Sequence, residues 1–302
     1  MKKDEISRPN YSYETLKSSG LESVRSAIRN GCYEGQTASL GNGYLQANLV
    51  IIPEKYSLDF MRYCQRNPKP CPLIAVSDTG NPMMFTSGSD IDIRTDLPAY
   101  NIYKNGLVNT IHDISDEWCN DFVAFALGCS FTFEAALQKA GISLWHINNN
   151  KTVPMFQTNI QTVPAGIFSG DMVVSMRAIP KNRLEQVTEI SKRFPLAHGA
   201  PIHIGDPSAI GITDLKKPNW GDSYTLHDDQ IPVFWACGVT SQVVINRANL
   251  PISITHKPGH MLITDLSEDV EIPIIRLGKS LSKVKKEEKI KKNKKKKKKK
   301  KK

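Results

Sequence analysis

The spacing of apolar residues predicts short helices and strands in the first part of the chain. Residues 13–30 have helical spacing that is interrupted at Gly20, and residues 47–53 form an apolar run that ends in proline, which is typical of a buried strand. A second helix is predicted over 54–66 and a second strand over 72–78. The order helix, strand, helix, strand indicates a chain that mixes both kinds of element.

Two further segments have patterns that leave their structure open. Residues 90–97 alternate apolar and polar side chains, which in an extended chain would place Arg94 and several carboxylates on one face. Residues 116–127 slightly favour a helix, and a strand over 121–127 is the alternative. Neither segment is decided by periodicity alone.

The elements of the second half are predicted more clearly. Residues 131–140 predict a helix that ends at Gly141, and residues 231–239 form a strongly apolar run typical of a buried strand. Between them, residues 146–199 predict the order strand, strand, helix. The prediction is an α/β fold, with a mixed-sheet α/β main domain and a smaller two-layer α+β subdomain.

The same pattern suggests domain boundaries. Residues 1–282 are predicted to form one folded unit, with a main domain of about 1–145 and 200–282 and a possible inserted subdomain at 146–199. From Lys283 the sequence is almost entirely lysine with a few glutamates. Such a run repels itself and buries no apolar surface, so 283–302 is predicted to be disordered.

The tail also explains the basic composition. It carries 15 lysines and 2 glutamates, a charge of +13, so the total of +10 leaves −3 for the other 282 residues. A mildly acidic body argues against a fold that binds nucleic acid, although a basic tail by itself could contact nucleic acid or acidic lipid. The tail is interpreted as an artefact of adenine-rich or untranslated message.

Cysteine spacing and apolar run length limit the compartment. The six cysteines include no CxxC pair, which fits a reducing compartment better than a disulfide framework. No apolar run is long enough to span a bilayer, and residues 1–10 lack an apolar signal core. These features predict a soluble cytoplasmic protein without membrane contact, or a mitochondrial one in a eukaryote.

Candidate binding residues lie first in a proline-rich segment. In RNPKPCPL (66–73) three prolines stiffen a loop that carries Arg66 and Asn67. An arginine held in this way can bind a carboxylate through two parallel hydrogen bonds. Arg94 is predicted to bind a carboxylate in the same manner. A rigid connector with solvated charges is the simpler interpretation of the loop taken alone.

A second candidate is the start of the helix predicted over 131–140. Cys129 and Ser130 precede it, where free amides and the helix dipole attract anions and lower the pKa of a thiol. Glu134 lies one turn further and could act as a general acid or base. The alternatives are an N-cap serine, a core cysteine and an exposed first-turn glutamate.

Histidines supply the remaining candidates. His198, His203 and Asp206 in HGAPIHIGDP, and His256 and His260 in THKPGHMLITD, are suited to acid–base chemistry. The four histidines could also act as metal ligands, but their spacings match no metal signature, so no metal ion is predicted. Cys237, at the end of the strand predicted over 231–239, is a further residue for substrate contact, since ligands collect at strand ends in open α/β sheets.

Several of these segments together resemble a known family. GYLQANLVIIP, RNPKPCPL, DIRTDLP, GCSFTFE, HGAPIHIGDP, PVFWACGVT and THKPGHMLITD are similar in order and spacing to the bacterial hydro-lyases that include D-glutamate cyclase. The resemblance covers roughly residues 20–268. Thr132 replaces the usual serine and Ser241 the usual proline, a change expected to loosen a loop near the pocket.

The resemblance implies a lyase that eliminates water, with no cofactor. For the cyclase member the reaction converts D-glutamate to 5-oxo-D-proline, so the expected partner is a small glutamate-like acid, with a homo-oligomer also compatible. Glu134, His198, His203, Asp206 and His256 are the predicted catalytic residues. The predicted substrate-binding residues are Arg66, Asn67, Arg94, Cys129, Ser130, Cys237 and His260. The alternative function is a non-catalytic sensor of such an acid.

Overall fold

A strand that is buried along almost its whole length organises the larger of two sheets. In the computed structural model, which describes residues 10–149 and 151–268, β1 pairs with strands on both sides and has apolar side chains on both faces. The sheet has the order β2-β5-β1-β10-β3-β4, with β11 also paired to β1, and every pair is antiparallel. Its strands are β1 (Tyr44–Pro53), β2 (Leu73–Val76), β3 (Tyr100–Lys104), β4 (Leu107–Ile111), β5 (Phe122–Gly128), β10 (Ile252–His256) and β11 (Leu262–Ser267).

The smaller sheet has four strands in the order β6-β7-β9-β8, again antiparallel throughout. Its longest pairing joins β7 to β9 over seven residue pairs. The strands are β6 (Met155–Gln161), β7 (Asp171–Pro180), β8 (His203–Ile204) and β9 (Gln230–Ala236). The predicted insert at 146–199 holds β6 and β7, and β8 and β9 complete the same sheet from beyond residue 199. The division into domains stays a prediction.

Seven α-helices, counted within the described residues, cover the sheets. The predicted break at Gly20 is confirmed, because one helix ends before it and the next begins after it. Gly141 ends the fourth helix in the left-handed conformation (φ 75°), as the sequence predicts. The helices are α1 (Tyr13–Lys17), α2 (Leu21–Arg29), α3 (Glu54–Arg66), α4 (Phe131–Lys139), α5 (Trp145–Asn148), α6 (Leu184–Lys192) and α7 (Val239–Ala248).

The cores follow from the alternation of side chains along the strands. Leu49 and Ile51 of β1 face one apolar cluster, and Val50 and Ile52 face another that includes residues of α3 and α7. On the smaller sheet, the face of β9 that carries Trp235 packs against α4 and α6. The predicted combination of helices and sheets in an α/β fold is therefore confirmed.

The helix favoured for residues 116–127 is wrong, and the alternative strand is correct. Residues 122–128 form β5, which lies between β1 and β2 and is buried at all seven positions. A strand covered on both faces has apolar side chains on both, so its sequence loses the period of two. Only a short 3-10 turn, Ser115–Glu117, precedes it.

The acidic segment at 90–97 is a set of turns and contains no extended strand. Asp96 is fully buried and accepts hydrogen bonds from Arg29 of α2 at 2.6 Å and from the Asp92 amide at 3.0 Å. Asp92 in turn accepts from the backbone and the side chain of Arg94. Carboxylates that bond to nearby amides favour turns over a ladder.

Two other expectations concern the ends and the surroundings of the chain. The predicted disordered tail, 283–302, lies outside the described residues. Among the helices in the described residues, none is both long and apolar enough to cross a membrane.

Ser241 lies in α7, where it is buried and its hydroxyl donates to the carbonyl of Gly238 at 2.7 Å, so the expected loosening of a loop is wrong.

We expect Gly128→Ala to destabilise the fold severely. A β-carbon at Gly128 would lie 1.5 Å from the carbonyl oxygen of Leu196, a backbone atom that cannot rotate away. The expected loss is about 3 kcal/mol or more of unfolding free energy, measured by urea denaturation. Gly20→Ala is the control, since nothing lies within 4 Å of its β-carbon. Equal stabilities of the two variants would contradict this packing.

Candidate functional site

Two corners, each a strand leading into a helix, meet beside Asn48 of β1. At one corner β5 ends at Gly128 and α4 begins at Phe131; at the other β9 ends at Ala236 and α7 begins at Val239. The Asn48 amide donates to the carbonyl of Gly128 at 2.8 Å. The same side chain packs so closely on Gly238 that a β-carbon there would lie 2.1 Å from its nitrogen. The two sheets are thereby held together at these corners.

A buried charged cluster lies at the first corner. Glu134 of α4 is 1% exposed, and its Oε1 accepts hydrogen bonds from Arg177 of β7 through Nε at 3.0 Å and through Nη2. Nε2 of His146, from α5, lies 2.9 Å from the same oxygen. Two side chains from separate elements therefore meet at the carboxylate of Glu134.

The remaining contacts of Arg177 hold its guanidinium in place. Nη1 donates to the Ser175 hydroxyl and Nη2 to the Ser130 hydroxyl, both at 3.0 Å. The group also lies over the rings of Phe133 and Trp235, at 5.1 and 5.2 Å from their centroids. Ser130 occupies the N-cap position of α4, as one alternative expected, but its side chain makes no capping hydrogen bond within the described residues, and its hydroxyl accepts from Arg177.

Electrostatics keep Glu134 ionised despite its burial. Burial alone would raise the pKa of this carboxyl, but His146 and Arg177 outweigh it and lower the pKa to about 2. The second oxygen, Oε2, is buried without a hydrogen-bond partner within the described residues. Buried carboxylate oxygens normally have partners, so this atom marks an incomplete polar cluster.

The two thiols beside the corners are not activated. Burial raises the pKa of Cys129 well above its usual value, and the Phe131 amide at the start of α4 opposes this effect only in part. Burial also raises the pKa of Cys237 to about 11. The expected lowering of the Cys129 pKa by the helix terminus is therefore wrong, because desolvation outweighs the dipole.

A small cavity opens beside the charged cluster. It is lined by His146 and Arg177, by the aromatic residues Trp145 and Tyr224, and by Ala178 of β7. Its free space suits about one water molecule. His146 reaches this cavity with Nε2 held by Glu134, and its Nδ1 has no hydrogen bond within the described residues.

Three predicted histidines are buried and bound to the backbone. Nδ1 of His198 lies 2.7 Å from the Lys69 carbonyl, and burial lowers the pKa of this imidazole to about 4. His256 lies where β1 changes partner, with Nδ1 at 3.2 Å from the Leu49 amide, and burial lowers its pKa to about 4 as well. His260 contacts the Pro258 carbonyl at 3.0 Å, and burial lowers its pKa also.

His203 and Asp206 lie away from the charged cluster. His203 of β8 packs on Phe234, on the face of the smaller sheet opposite to Arg177. Asp206 is exposed and accepts from the amide and the hydroxyl of Ser208. The hydrogen bonds from Ser208 lower its pKa. The structure does not bring this pair to Glu134.

The predicted carboxylate-binding residues contact the protein itself. Arg66 is exposed and donates to the Pro164 carbonyl, while the Asn67 side chain bonds to backbone groups of Tyr63 and Val163. Arg94 is paired with Asp92 at 2.6 Å. Arg94, Cys129, His203 and His256 therefore contact different parts of the protein.

Side chains that could ligate a metal ion do not converge within the described residues. Over residues 10–149 and 151–268, no group of three or more His, Cys, Asp or Glu side chains could hold a metal ion. The four loop histidines that suggested such a site are bound to different parts of the backbone.

The sequence predicted part of the charged cluster. Glu134 and Ser130 were candidates, whereas His146 and Arg177 were missed. A signal for Arg177 was available, because an arginine within the apolar strand segment DMVVSMRAI is either exposed or paired inside. No sequence signal singled out His146, since its contact with Glu134 depends on the path of the chain after α4.

We expect Glu134→Gln to show a pH-dependent loss of stability. The folded pKa of about 2 lies below the usual 4.5, so the ionised carboxylate stabilises the fold above pH 4.5. This contribution is lost as pH falls from about 4.5 towards 2. At pH 7 the variant leaves Arg177 buried and unpaired, at a cost of about 3–5 kcal/mol in urea denaturation.

The difference in unfolding free energy between Glu134→Gln and the parent protein should become smaller below pH 4.5. Glu185→Gln is the matched control, because Glu185 is exposed in the first turn of α6. A constant difference from pH 7 to pH 3 would show that ionised Glu134 does not stabilise the fold.

Comparisons with known proteins place the chain in a family. The D-glutamate cyclase family model matches residues 123–265, which include Glu134, His146 and Arg177. A protein of Dinoroseobacter shibae described as "Putative hydro-lyase" is 66% identical over 265 residues, covering 87% of this chain and 88% of its own. Another of that description, from Ruegeria pomeroyi, is 63% identical and covers 87% and 96%. One from a Thermoanaerobacter species is 51% identical and covers 85% and 97%.

A solved structure gives a weaker likeness. The nitrogen repressor-like protein of Methanococcus jannaschii is 13% identical with a TM-score of 0.33, covering 72% of this chain and 86% of that one. This value is too low to support any argument. The sequence relatives decide the matter, because their identity is high and extends over most of both chains. The chain belongs to the D-glutamate cyclase family.

Proposed function

We propose that this chain is a hydro-lyase of the D-glutamate cyclase type, which dehydrates D-glutamate to 5-oxo-D-proline. The observation that carries the proposal is the pair formed by buried Glu134 and His146 beside a cavity that Arg177 also lines. Such a pair is a common arrangement for a general base, since the carboxylate fixes one ring nitrogen and leaves the other for the substrate.

The reaction moves two protons from the substrate nitrogen to the oxygen that leaves. The α-ammonium group loses one proton before nitrogen attacks the γ-carboxyl carbon and a second after the C–N bond has formed, and both protons end on the oxygen that leaves as water when a C–O bond breaks. With Nε2–H donated to Glu134, Nδ1 of His146 has a free lone pair to accept that proton. The same nitrogen can then pass the proton to the departing oxygen, and a second cycle of the same transfer, after the C–N bond has formed, supplies the other proton of the water.

Arg177 serves the acidic end of the substrate. A carboxylate is a poor electrophile until its negative charge is offset, and a fixed cation in a site with little water does this effectively. Arg177 is held by Glu134, Ser130 and Ser175, so its position is set before the substrate enters. Glu134 therefore positions both the base and the cation.

The alternative function is a sensor that binds a glutamate-like acid without converting it. The two differ in turnover and not in affinity, so chiral analysis of the products separates them. Protein lacking residues 283–302 would be incubated with D-glutamate, L-glutamate and both enantiomers of 5-oxoproline. Conversion of D-glutamate supports the cyclase, and binding of these acids without conversion supports the sensor.

His146→Gln should lower kcat for D-glutamate about 10²- to 10⁴-fold. Glutamine can still donate to Glu134 but offers no basic nitrogen, so the fold should persist while proton transfer is lost. The measurement is steady-state turnover by chiral chromatography, with the melting temperature recorded beside it. His112→Gln is the control, since that side chain is half exposed and near Glu34. Undiminished turnover in a folded His146→Gln variant would remove His146 from the mechanism.

A further inference from the structure

One edge of β7 is left open beside the cavity. β6 pairs with β7 up to Ser175, and the Met176 amide still donates to the Pro154 carbonyl at 2.9 Å. Past this point the chain before β6 turns away, with Thr152 bonded to Asp222. Among the described residues, no strand therefore pairs with the next residues of β7 on this side.

The open position is Ala178. In an antiparallel ladder, alternate residues direct both backbone groups to the same neighbour, so Ala178 faces the same side as Met176. Its partner on β9 is Pro232, which has no N–H and whose carbonyl accepts from Gly205 at 2.9 Å on the other side. The N–H and C=O of Ala178 thus have no hydrogen-bond partner within the described residues.

The residue that carries these two backbone groups lies at the wall of the cavity. Ala178 lines it together with His146, Arg177 and Tyr224, and it is half-buried where its neighbours Arg177 and Ile179 are fully buried. An N–H and a C=O on one residue of an open strand form a donor and an acceptor at fixed spacing. In a sheet they bond to the C=O and N–H of one facing residue.

We propose that Ala178 binds the N–Cα–carboxylate unit of an α-amino acid or of its lactam. The Ala178 C=O accepts from the ligand nitrogen, and the Ala178 N–H donates to a ligand carboxylate oxygen, as in one hydrogen-bonded residue pair of an antiparallel sheet. D-Glutamate and 5-oxo-D-proline both contain this unit. The inference rests on the proposed function only in placing the ligand in the same cavity.

The aromatic wall has to move for the ligand to enter. The rings of Trp145 and Tyr224 are tilted against each other with centroids 5.0 Å apart, and the cavity between them and β7 suits about one water molecule. Ligand entry therefore displaces water from the open edge and shifts these two side chains. A structural water that simply satisfies Ala178 is the competing occupant.

A matched pair of ligands tests the hydrogen bond from the ligand N–H to the Ala178 carbonyl. 5-Oxo-D-proline and its lactone analogue, 5-oxotetrahydrofuran-2-carboxylate of the same configuration, differ only in that ring oxygen replaces N–H. The lactone places a lone pair against the Ala178 carbonyl, so its Kd by isothermal titration calorimetry should be at least about tenfold higher. Equal Kd values, or no binding of either because the edge holds only a water, would overturn the proposal.

Ala178→Pro tests the hydrogen bond from the Ala178 N–H to the ligand carboxylate. Proline removes the N–H and is tolerated at an open strand edge, so the variant should fold and bind 5-oxo-D-proline about tenfold or more weakly. Ala178→Gly keeps the N–H and is the matched control, and far-UV circular dichroism checks the fold. Unchanged affinity in folded Ala178→Pro contradicts the contact, and if that variant fails to fold, the ligand pair decides alone.

The outcomes separate this inference from the proposed function. Binding that depends on the ring N–H, without conversion of D-glutamate, leaves the Ala178 site standing and removes the cyclase proposal. Conversion of D-glutamate by a protein that binds lactam and lactone equally leaves the cyclase proposal standing and removes the Ala178 site.

Discussion

The buried ion pair between Glu134 and Arg177 is the contact on which the arrangement of the site depends. Glu134 follows β5 of the larger sheet and Arg177 belongs to β7 of the smaller one, so the pair joins the two sheets. Two charges removed from water are costly unless each finds further partners. Arg177 finds them in Ser130, Ser175 and two aromatic rings, which restricts how the sheets can pack.

Close backbone approaches bring the charged side chains to the same place. Gly128 touches the Leu196 carbonyl and Gly238 touches Asn48, and neither position has room for a β-carbon. These contacts fix the direction in which α4 and α7 leave their sheets. Glu134, one turn into α4, is thereby directed at β7 and not at solvent. Local steric limits thus produce a long-range electrostatic contact.

Much of the fold could be predicted from the sequence, since β1, α3, α4 and β9 have clear periodicity and end signals. β5 was assigned to the wrong class because a strand buried on both faces has no alternation to detect. In the site, Glu134 and Ser130 were found from their place at a helix start. Arg177 lies 43 residues from Glu134, and only the packing of two sheets brings them together.

The expectation that ligands bind beyond the ends of strands does not suit this topology. Ligands collect at the carboxyl ends of strands when strands run parallel, whereas every strand pair in the described residues is antiparallel. The charged cluster lies instead at the junction of the sheets. Cys237 was given weight by that rule, and the structure buries this thiol, which raises its pKa to about 11.

The proposed contacts of Ala178, His146 and Arg177 act on different parts of the substrate and therefore contribute differently to catalysis. The α-carboxylate held by the Ala178 N–H is the same in D-glutamate and in 5-oxo-D-proline, so this half of the contact contributes uniform binding and little acceleration. The groups whose charge changes are the amine, which becomes an amide, and the γ-carboxylate, which loses an oxygen. His146 and Arg177 are the cavity residues able to interact with these two groups. Selective stabilisation of the transition state therefore rests with that pair, and Glu134 governs it through the hydrogen bonds that fix both side chains.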